Sequence, residues 1–182
     1  GSESPEDVFD RLEATQHFLR LDRSVAPSMY RCATVSLPEL EQLQRIKNIV
    51  RKGRVQRIEP TRIDLEQGSV NAHPEAVYVN CTADGLAPRA PVPVFDQGHI
   101  TLQTLVGCQQ VFSAGLLGAI ETLPARSLED KNKLASVIPH PSTPSDFFVM
   151  TSSFIWNVAT WRGVPEIDTW LKDSRLSVFG SG

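Results

Sequence analysis

Two patterns of apolar residues near the start of the chain predict helices. Residues 4–7 combine a serine cap, a proline and acidic residues, and the apolar spacing that follows predicts a helix over residues 5–19. Ser36 and Glu39 match a capping box ahead of a second apolar series. We expect that helix to end near Lys52-Gly53, because cations followed by a glycine are typical of a helix C-terminus.

The pattern then changes to one that favours strands. Residues 54–66 alternate between apolar and polar side chains around a Pro-Thr turn, which predicts a β-hairpin with one face in water. Residues 76–81 form an unbroken run of β-favouring residues, which is typical of a buried strand. Another strand is predicted over residues 100–106, directly after Gly98.

Helical patterns return further along the chain. Residues 111–123 are apolar on all sides, which is typical of a buried helix, and Gly115 and Gly118 would let neighbouring groups approach closely. A short helix is predicted to begin at Ser127, which has the character of an N-cap.

Two more helices are predicted in the C-terminal part. One begins near Ser145-Asp146 and runs to Trp161, and the last begins at Pro165-Glu166. Because residues 147–161 contain no charged side chain, we expect that helix to be largely covered. The elements together predict an α/β or α+β fold, in which a small sheet with a β-hairpin or meander is covered by several helices.

Composition describes an ordinary globular chain. The sequence has 182 residues and a net charge of −3, so no excess of basic residues indicates a nucleic-acid partner. The most apolar stretch, residues 111–120, is too short to span a membrane. The length predicts one domain over residues 3–179. Residues 1–2 and 180–182 resemble cloning and linker residues, so we expect a fragment of a larger protein.

The cysteines indicate a cytoplasmic protein. Cys32, Cys81 and Cys108 are odd in number and widely spaced, and we interpret them as reduced thiols rather than as a disulfide framework. Cys81 and Cys108 are expected to behave as small apolar residues, although Cys108 precedes a helix, where a thiol can become reactive.

The sequence contains no pattern that predicts a metal site or a catalytic group. No histidine lies near a second ligand at metal spacing, and a nucleophile elbow, a P-loop and a GxGxxG motif are all lacking. A basic run over residues 45–62 is interpreted as a solvated surface, with a phosphate contact as the lesser alternative. The histidines are His17, His73, His99 and His140.

Four segments in a fixed order carry a resemblance to a known family. They are a helical segment over residues 34–46, a hairpin over 53–68, a strand and turn over 77–86, and the stretch over 91–114. This order resembles the C-terminal halves of bacterial NAD(P)/FAD-dependent oxidoreductases of the glutathione-reductase-like superfamily. The N-terminal GxGxxG unit, which binds the FAD pyrophosphate in that superfamily, has no counterpart in this sequence.

The resemblance implies FAD and NAD(P) as cofactors. It places the turn over residues 81–85, within the third segment, along a cofactor. It also lets the N-terminus of the helix over residues 111–123 offer N–H groups to a negative cofactor group. The implied cofactor-binding residues are Cys81, Thr82, Ala83, Asp84, Gly85, Gln109, Gln110 and Ser113.

Two classes of function follow. The first is the C-terminal part of a FAD/NAD(P)-dependent oxidoreductase, which contributes to the cofactor or substrate side of the site and is inactive alone. Its partners would be a small-molecule cofactor and a missing N-terminal portion. The alternative is a non-catalytic domain that binds a protein partner or a second copy of itself through the helix over residues 147–161. An excised fragment without activity is a third possibility.

Overall fold

The structure is a computed structural model that describes residues 4–28, 35–82 and 89–177. The chain divides into two compact units, one made of Gly1–Val35 with Pro88–Gly182 and the other of Ser36–Ala87. The described part holds six helices and two antiparallel sheets, of three and two strands, so the fold belongs to the α/β or α+β class. Its elements are α1 (Pro5–Ala14), α2 (Leu37–Leu43), β1 (Val55–Ile58), β2 (Arg62–Leu65), β3 (Gly68–Asn71), β4 (Phe95–Asp96), β5 (His99–Ile100), α3 (Gln110–Glu121), α4 (Leu128–Leu134), α5 (Pro144–Arg162) and α6 (Pro165–Asp173).

The core of the first unit is built around α3. Phe112, Leu116, Leu117 and Ile120 of α3 are buried with Trp161 of α5 and with side chains of α4 and α6. The rings of Phe112 and Trp161 lie 6.2 Å apart. The buried residues of α3 follow the spacing of a single helix face, and Val111 on the opposite face is 68% exposed. The prediction of a helix buried on all sides is therefore confirmed for one face only.

The predicted strand over residues 100–106 is wrong beyond Ile100. Only β4 and β5 pair there, as a two-residue antiparallel ladder between Phe95 and Ile100 and between Asp96 and His99. Leu105 is nevertheless fully buried. Its backbone N–H and C=O groups bond to side chains of two helices rather than to a neighbouring strand.

Helix α1 is shorter than predicted. It ends at Ala14 rather than near residue 19, and Gln16 has a left-handed φ of 62°. The turn brings the Phe18 ring to 5.9 Å from the Phe9 ring. Phe9 also packs against Phe147 of α5, at 5.7 Å between ring centroids. Aromatic packing therefore continues where the helix stops.

In the second unit, α2 begins at the predicted position but ends earlier in the chain than predicted. The Ser36 and Glu39 capping box is present, but the helix stops at Leu43 instead of near Lys52-Gly53. The apolar residues that follow, such as Ile46 and Ile49, are exposed. A helix of this length is stabilised mainly by packing of its apolar face, so exposed apolar residues do not extend it.

The predicted hairpin is confirmed and continues into a third strand. β1 pairs with β2, with Val55 opposite Leu65 and Ile58 opposite Ile63. β2 then pairs with β3 through a tight turn that places Leu65 opposite Gly68. The result is an antiparallel meander in the order β1-β2-β3.

The prediction of a buried strand over residues 76–81 is wrong for this chain by itself. These residues have no strand assignment and are all exposed. Their β-favouring composition was correctly recognised, but this structure supplies no described strand beside them. Among the residues described, no helix is both long and apolar enough to cross a membrane.

Candidate functional site

The N-terminus of α3 is the first candidate site. Gln109 occupies the cap position without a side-chain cap bond, unlike the serine- or threonine-capped α1, α2, α4 and α5. The chain reaches it through Gly107, which has a left-handed φ of 39°. Gln109 and Gln110 are exposed, and Gln110 Nε2 donates to Thr104 Oγ1 over 3.4 Å. First-turn N–H groups and the positive end of the helix dipole favour a negative group there.

Ser113 lies beneath this helix end. Its side chain is 2% exposed, and its Oγ donates to the Gln109 carbonyl at 2.7 Å. The same oxygen accepts a hydrogen bond from the Leu105 amide at 3.0 Å. Ser113 therefore holds the first turn of α3 to the segment that precedes it, which gives this predicted cofactor residue a structural role.

The second candidate segment belongs to the other unit. Cys81 is exposed and its thiol is free, while Thr82 is also exposed. Asn80 Oδ1 accepts from the Thr82 amide at 3.0 Å and from the Thr82 hydroxyl at 2.6 Å, which is a local side-chain-to-backbone turn. The predicted cofactor residues Ala83, Asp84 and Gly85 lie outside the described residues.

One cysteine prediction needs correction. Cys108, directly before the α3 cap, is disulfide-bonded, whereas composition predicted a reduced thiol. An odd cysteine count without short spacings gives no signal for pairing, because a disulfide depends on the approach of side chains in space. The bond fixes the chain beside Gln109 and removes Cys108 as a reactive thiol.

Buried polar side chains, which the sequence prediction missed, support the first candidate site. Asn157 of α5 is 1% exposed, and its Nδ2 donates to the carbonyls of Leu105 at 3.1 Å and Ser136 at 2.7 Å. Trp161 Nε1 donates to the Leu134 carbonyl at 2.7 Å. The signal in the sequence was the single amide side chain in the charge-free helix segment before Trp161, since a buried amide needs partners.

The basic run is largely engaged in local contacts. Arg57 pairs with Glu59 at 2.8 Å, and Arg62 pairs with Asp64 at 2.5 Å. Lys52 donates to the Ser69 carbonyl at 3.0 Å. These contacts favour the interpretation as a solvated surface over a phosphate contact. Within the part of the chain that is described, no three histidine, cysteine or acidic residues are grouped as metal ligands.

Helix α5 carries the second kind of candidate surface. Its start is a capping box in which Ser142 and Thr143 amides donate to the Asp146 carboxylate at 2.9 and 2.8 Å. These backbone bonds, joined by one from the Thr143 side chain, hold the pKa of Asp146 below its ordinary value. The helix thus begins at Pro144, slightly before the predicted Ser145-Asp146 start.

The expectation that residues 147–161 are largely covered is wrong. One side of α5 packs on the core through Asn157 and Trp161, but Val149, Ile155 and Trp156 are exposed. Trp156 is 69% exposed. Exposed positions Ser145, Val149, Ser152, Trp156 and Ala159 follow helical spacing, so they form one uncharged stripe, here called the α5 stripe.

No protein-family model matches the sequence, and no solved structure matches it. The chain is similar to uncharacterized protein Rv2000 of Mycobacterium tuberculosis and to uncharacterized protein Mb2023 of Mycobacterium bovis, with 51% identity over 178 residues to each. The alignment covers 96% of this chain but 32% of each relative. The chain therefore spans about a third of the length of the curated relatives it matches. The resemblance to oxidoreductases stays a prediction.

Proposed function

We propose that this chain is a region of a longer FAD- and NAD(P)-dependent oxidoreductase and that it contributes to the cofactor or substrate side of the site. The observation that carries the proposal is the exposed N-terminus of α3, which has no side-chain cap and is fixed from beneath by Ser113. This helix end is a structural feature that supports the proposal independently of the resemblance in the order of the sequence segments. The length of the mycobacterial relatives supports a longer polypeptide.

The residues at this helix end fit part of a dinucleotide rather than the whole. The first turn of α3 would hold a negative group such as a pyrophosphate, and the exposed side chains of Gln109 and Gln110 would donate to it. The hydride chemistry would be supplied by the bound flavin and nicotinamide. Because the chain has no GxGxxG motif, the remaining part of the polypeptide would hold the rest of the cofactor.

A binding comparison tests this function. The full-length M. tuberculosis relative is expected to purify with a flavin absorbance spectrum and to quench NADPH fluorescence. This chain alone is expected to change neither the FAD nor the NADPH signal at high micromolar concentration. A full-length relative that lacks flavin and leaves both signals unchanged would remove the basis of the proposal.

A charge substitution locates the cofactor. In a polypeptide where this chain replaces the aligned segment of the relative, Gln110→Glu is expected to weaken flavin binding about two- to five-fold, because a negative charge at the helix N-terminus opposes the anion. Ala114→Glu is the control, since it adds the same exposed charge one turn further along α3. Equal effects of the two variants would exclude the α3 N-terminus as the contact.

The α5 stripe favours a second candidate function, self-association through a second copy of the chain. Two copies of an uncharged stripe meet without charge repulsion, and the small side chains of Ser152 and Ala159 leave room for a large one such as Trp156. Light scattering across a concentration series should then show a dimer. Trp156→Lys should abolish it, whereas Leu102→Lys, at a site 68% exposed, should not. A monomer at all concentrations would exclude this candidate.

The proposal also places the protein in the cytoplasm, the compartment that the sequence predicts. The disulfide at Cys108 opposes this placement, because structural disulfides persist mainly in oxidising compartments. Reaction of the native chain with a thiol reagent distinguishes a reducing from an oxidising compartment, because it reports whether Cys108 is free or disulfide-bonded.

A further inference from the structure

The most exposed large apolar side chains of the described residues lie in one short segment. Val77 is 87% exposed and Val79 is 76% exposed, more than any other large apolar side chain within residues 4–28, 35–82 and 89–177. Tyr78 stands between them. Valine and tyrosine favour an extended chain that packs on a pleated, partly buried surface, so their exposure here is at odds with their preference.

The backbone of this segment is also unpaired. Among the described residues, no backbone-to-backbone hydrogen bond joins residues 77–81 to another part of the chain. The bonds at its ends are local: Ala76 donates to the His73 carbonyl at 3.0 Å, and the Thr82 amide donates to Asn80 Oδ1 at 3.0 Å. The segment therefore starts and stops at turns, as a strand does, while its own N–H and C=O groups remain available.

The described residues of the unit that contains the segment bury almost no side chain. Leu65 is the only buried residue that the structure describes in Ser36–Ala87. Val55 and Ile58 of β1 are about half exposed, and so is Ile49 before the sheet. An exposed apolar surface of this extent is typical of a region that packs against another protein segment.

We propose that residues 76–81 form a β-strand that pairs with the edge of a sheet supplied by the rest of a longer polypeptide. In an extended strand, Val77, Val79 and Cys81 share one face, and Tyr78 and Asn80 share the other. The face that carries Val77 and Val79 would be buried against other parts of the longer polypeptide. The backbone N–H and C=O groups of the segment would form hydrogen bonds with the edge strand of the sheet. The valine side chains of the segment would then be buried, as their preference for a packed strand favours.

The comparisons with known proteins favour a partner sheet from the same polypeptide. The mycobacterial relatives align with 96% of this chain, but the aligned part is 32% of their own length. About two thirds of each relative therefore lies outside the aligned region, which is enough chain to provide a sheet. This inference rests on the proposed function only in placing the chain within a longer polypeptide. It requires no cofactor.

Hydrogen–deuterium exchange tests the pairing. In this chain alone, the amides of residues 77–81 should exchange within about ten-fold of an unstructured peptide, since they have no described backbone partner. In the full-length M. tuberculosis relative, the aligned amides should exchange at least ~100-fold more slowly, at every second position for an edge strand or at every position for an inner one. The amides of β2 are the internal control, because they should be protected in both proteins.

Other occupants give other results, and each contradicts the proposal. Aligned amides that exchange rapidly in the full-length relative would exclude pairing with the rest of the polypeptide. Protection in this chain alone that does not depend on concentration would assign the segment to a partner within the chain, such as an edge of the β1-β2-β3 sheet. Protection that rises with concentration would assign it to a second copy. Since exchange is measured without flavin, failure of flavin binding leaves this test unaffected.

A substitution tests whether the valine face is free in this chain. Val79→Ser should leave the urea unfolding midpoint of the chain unchanged, because the side chain has little surface to lose from burial. Leu65→Ala is the control that should lower the midpoint for the unit, since Leu65 is buried. A Val79→Ser variant as damaged as Leu65→Ala would overturn the proposal.

Discussion

The side-chain amide of Asn157 in α5 donates a hydrogen bond to the carbonyl of Leu105 at 3.1 Å, across 52 residues of sequence. The Leu105 amide in turn donates to Ser113 Oγ of α3 at 3.0 Å. One irregular residue is thus held from both sides by side chains of two helices. Because Leu105 lies shortly before the start of α3, this relationship fixes where the candidate cofactor-binding helix end begins.

The first prediction is that Asn157→Leu lowers the free energy of unfolding by about 2–4 kcal/mol. The substitution keeps the number and branching of the side-chain heavy atoms but leaves the buried carbonyls of Leu105 and Ser136 without their donor. Urea unfolding followed by tryptophan fluorescence measures it, since Trp156, Trp161 and Trp170 all report on the same unit.

Ser152→Ala is the matched control for Asn157→Leu. Ser152 lies on the exposed side of the same helix, so its removal should change the free energy of unfolding by less than about 0.5 kcal/mol. If Asn157→Leu behaves like this control, the two bonds do not stabilise the unit.

Elements with local stop and start signals could be predicted from the sequence. Ser4, Ser36 and Ser127 are N-caps as their context indicated, because a cap bonds within its own first turn. The hairpin turn between β1 and β2 was found for the same reason, since alternation and a tight turn are local features.

Elements that depend on a distant partner could not be predicted. The apolar series after Leu43 has helical spacing, yet its side chains are exposed in the described structure and the helix ends at Leu43. Residues 76–81 have strand composition without a described neighbouring strand. Leu105 gains its backbone partners from Ser113 and Asn157, whose approach no spacing rule encodes. The candidate site depends on that same long-range approach, so sequence indicated its residues but not their support.

A second prediction separates two glycines of α3 that the sequence treated alike. A Cβ on Gly118 would meet no atom within 4 Å, whereas a Cβ on Gly115 would lie 2.9 Å from Leu176 Cδ1 and 3.4 Å from Trp170 Cζ2. Gly118→Ala should therefore raise the free energy of unfolding by about 0.5–1 kcal/mol, the gain of alanine over glycine within a helix.

Gly115→Ala is expected to lose most of that gain, because Leu176 and Trp170 must shift to admit the new methyl group. Thermal melting of the two variants beside the parent chain provides the comparison. Equal stabilisation by both substitutions would show that the close approach at Gly115 imposes no constraint.

The third prediction concerns pH and the start of α5. The amides of Ser142 and Thr143 hold the pKa of Asp146 below its ordinary value, because they bond the ionised carboxylate. A depressed pKa in the folded state means that Asp146 stabilises the fold fully above its unfolded pKa of about 3.9. That contribution is lost as pH falls through the lower folded value.

Asp146→Asn should consequently melt at a lower temperature than the parent chain at neutral pH, and the difference should shrink below about pH 4. Asp173→Asn, at an exposed position at the end of α6, is the control and should change the melting temperature at neutral pH by less than Asp146→Asn does. A gap for Asp146→Asn that stays constant down to acidic pH would contradict the assigned role of the carboxylate.

The last prediction uses the cysteines. Without reductant, the native chain should react with a thiol reagent at Cys81, which is exposed and free, and not at Cys108, which is disulfide-bonded. Reduction should lower the free energy of unfolding by about 2–4 kcal/mol, the usual contribution of a disulfide. Cys81→Ser should leave this response to reductant unchanged. If Cys108 instead reacts as rapidly as Cys81 in the absence of reductant, the disulfide does not form. The cysteines would then be reduced thiols, as is typical of a cytoplasmic protein.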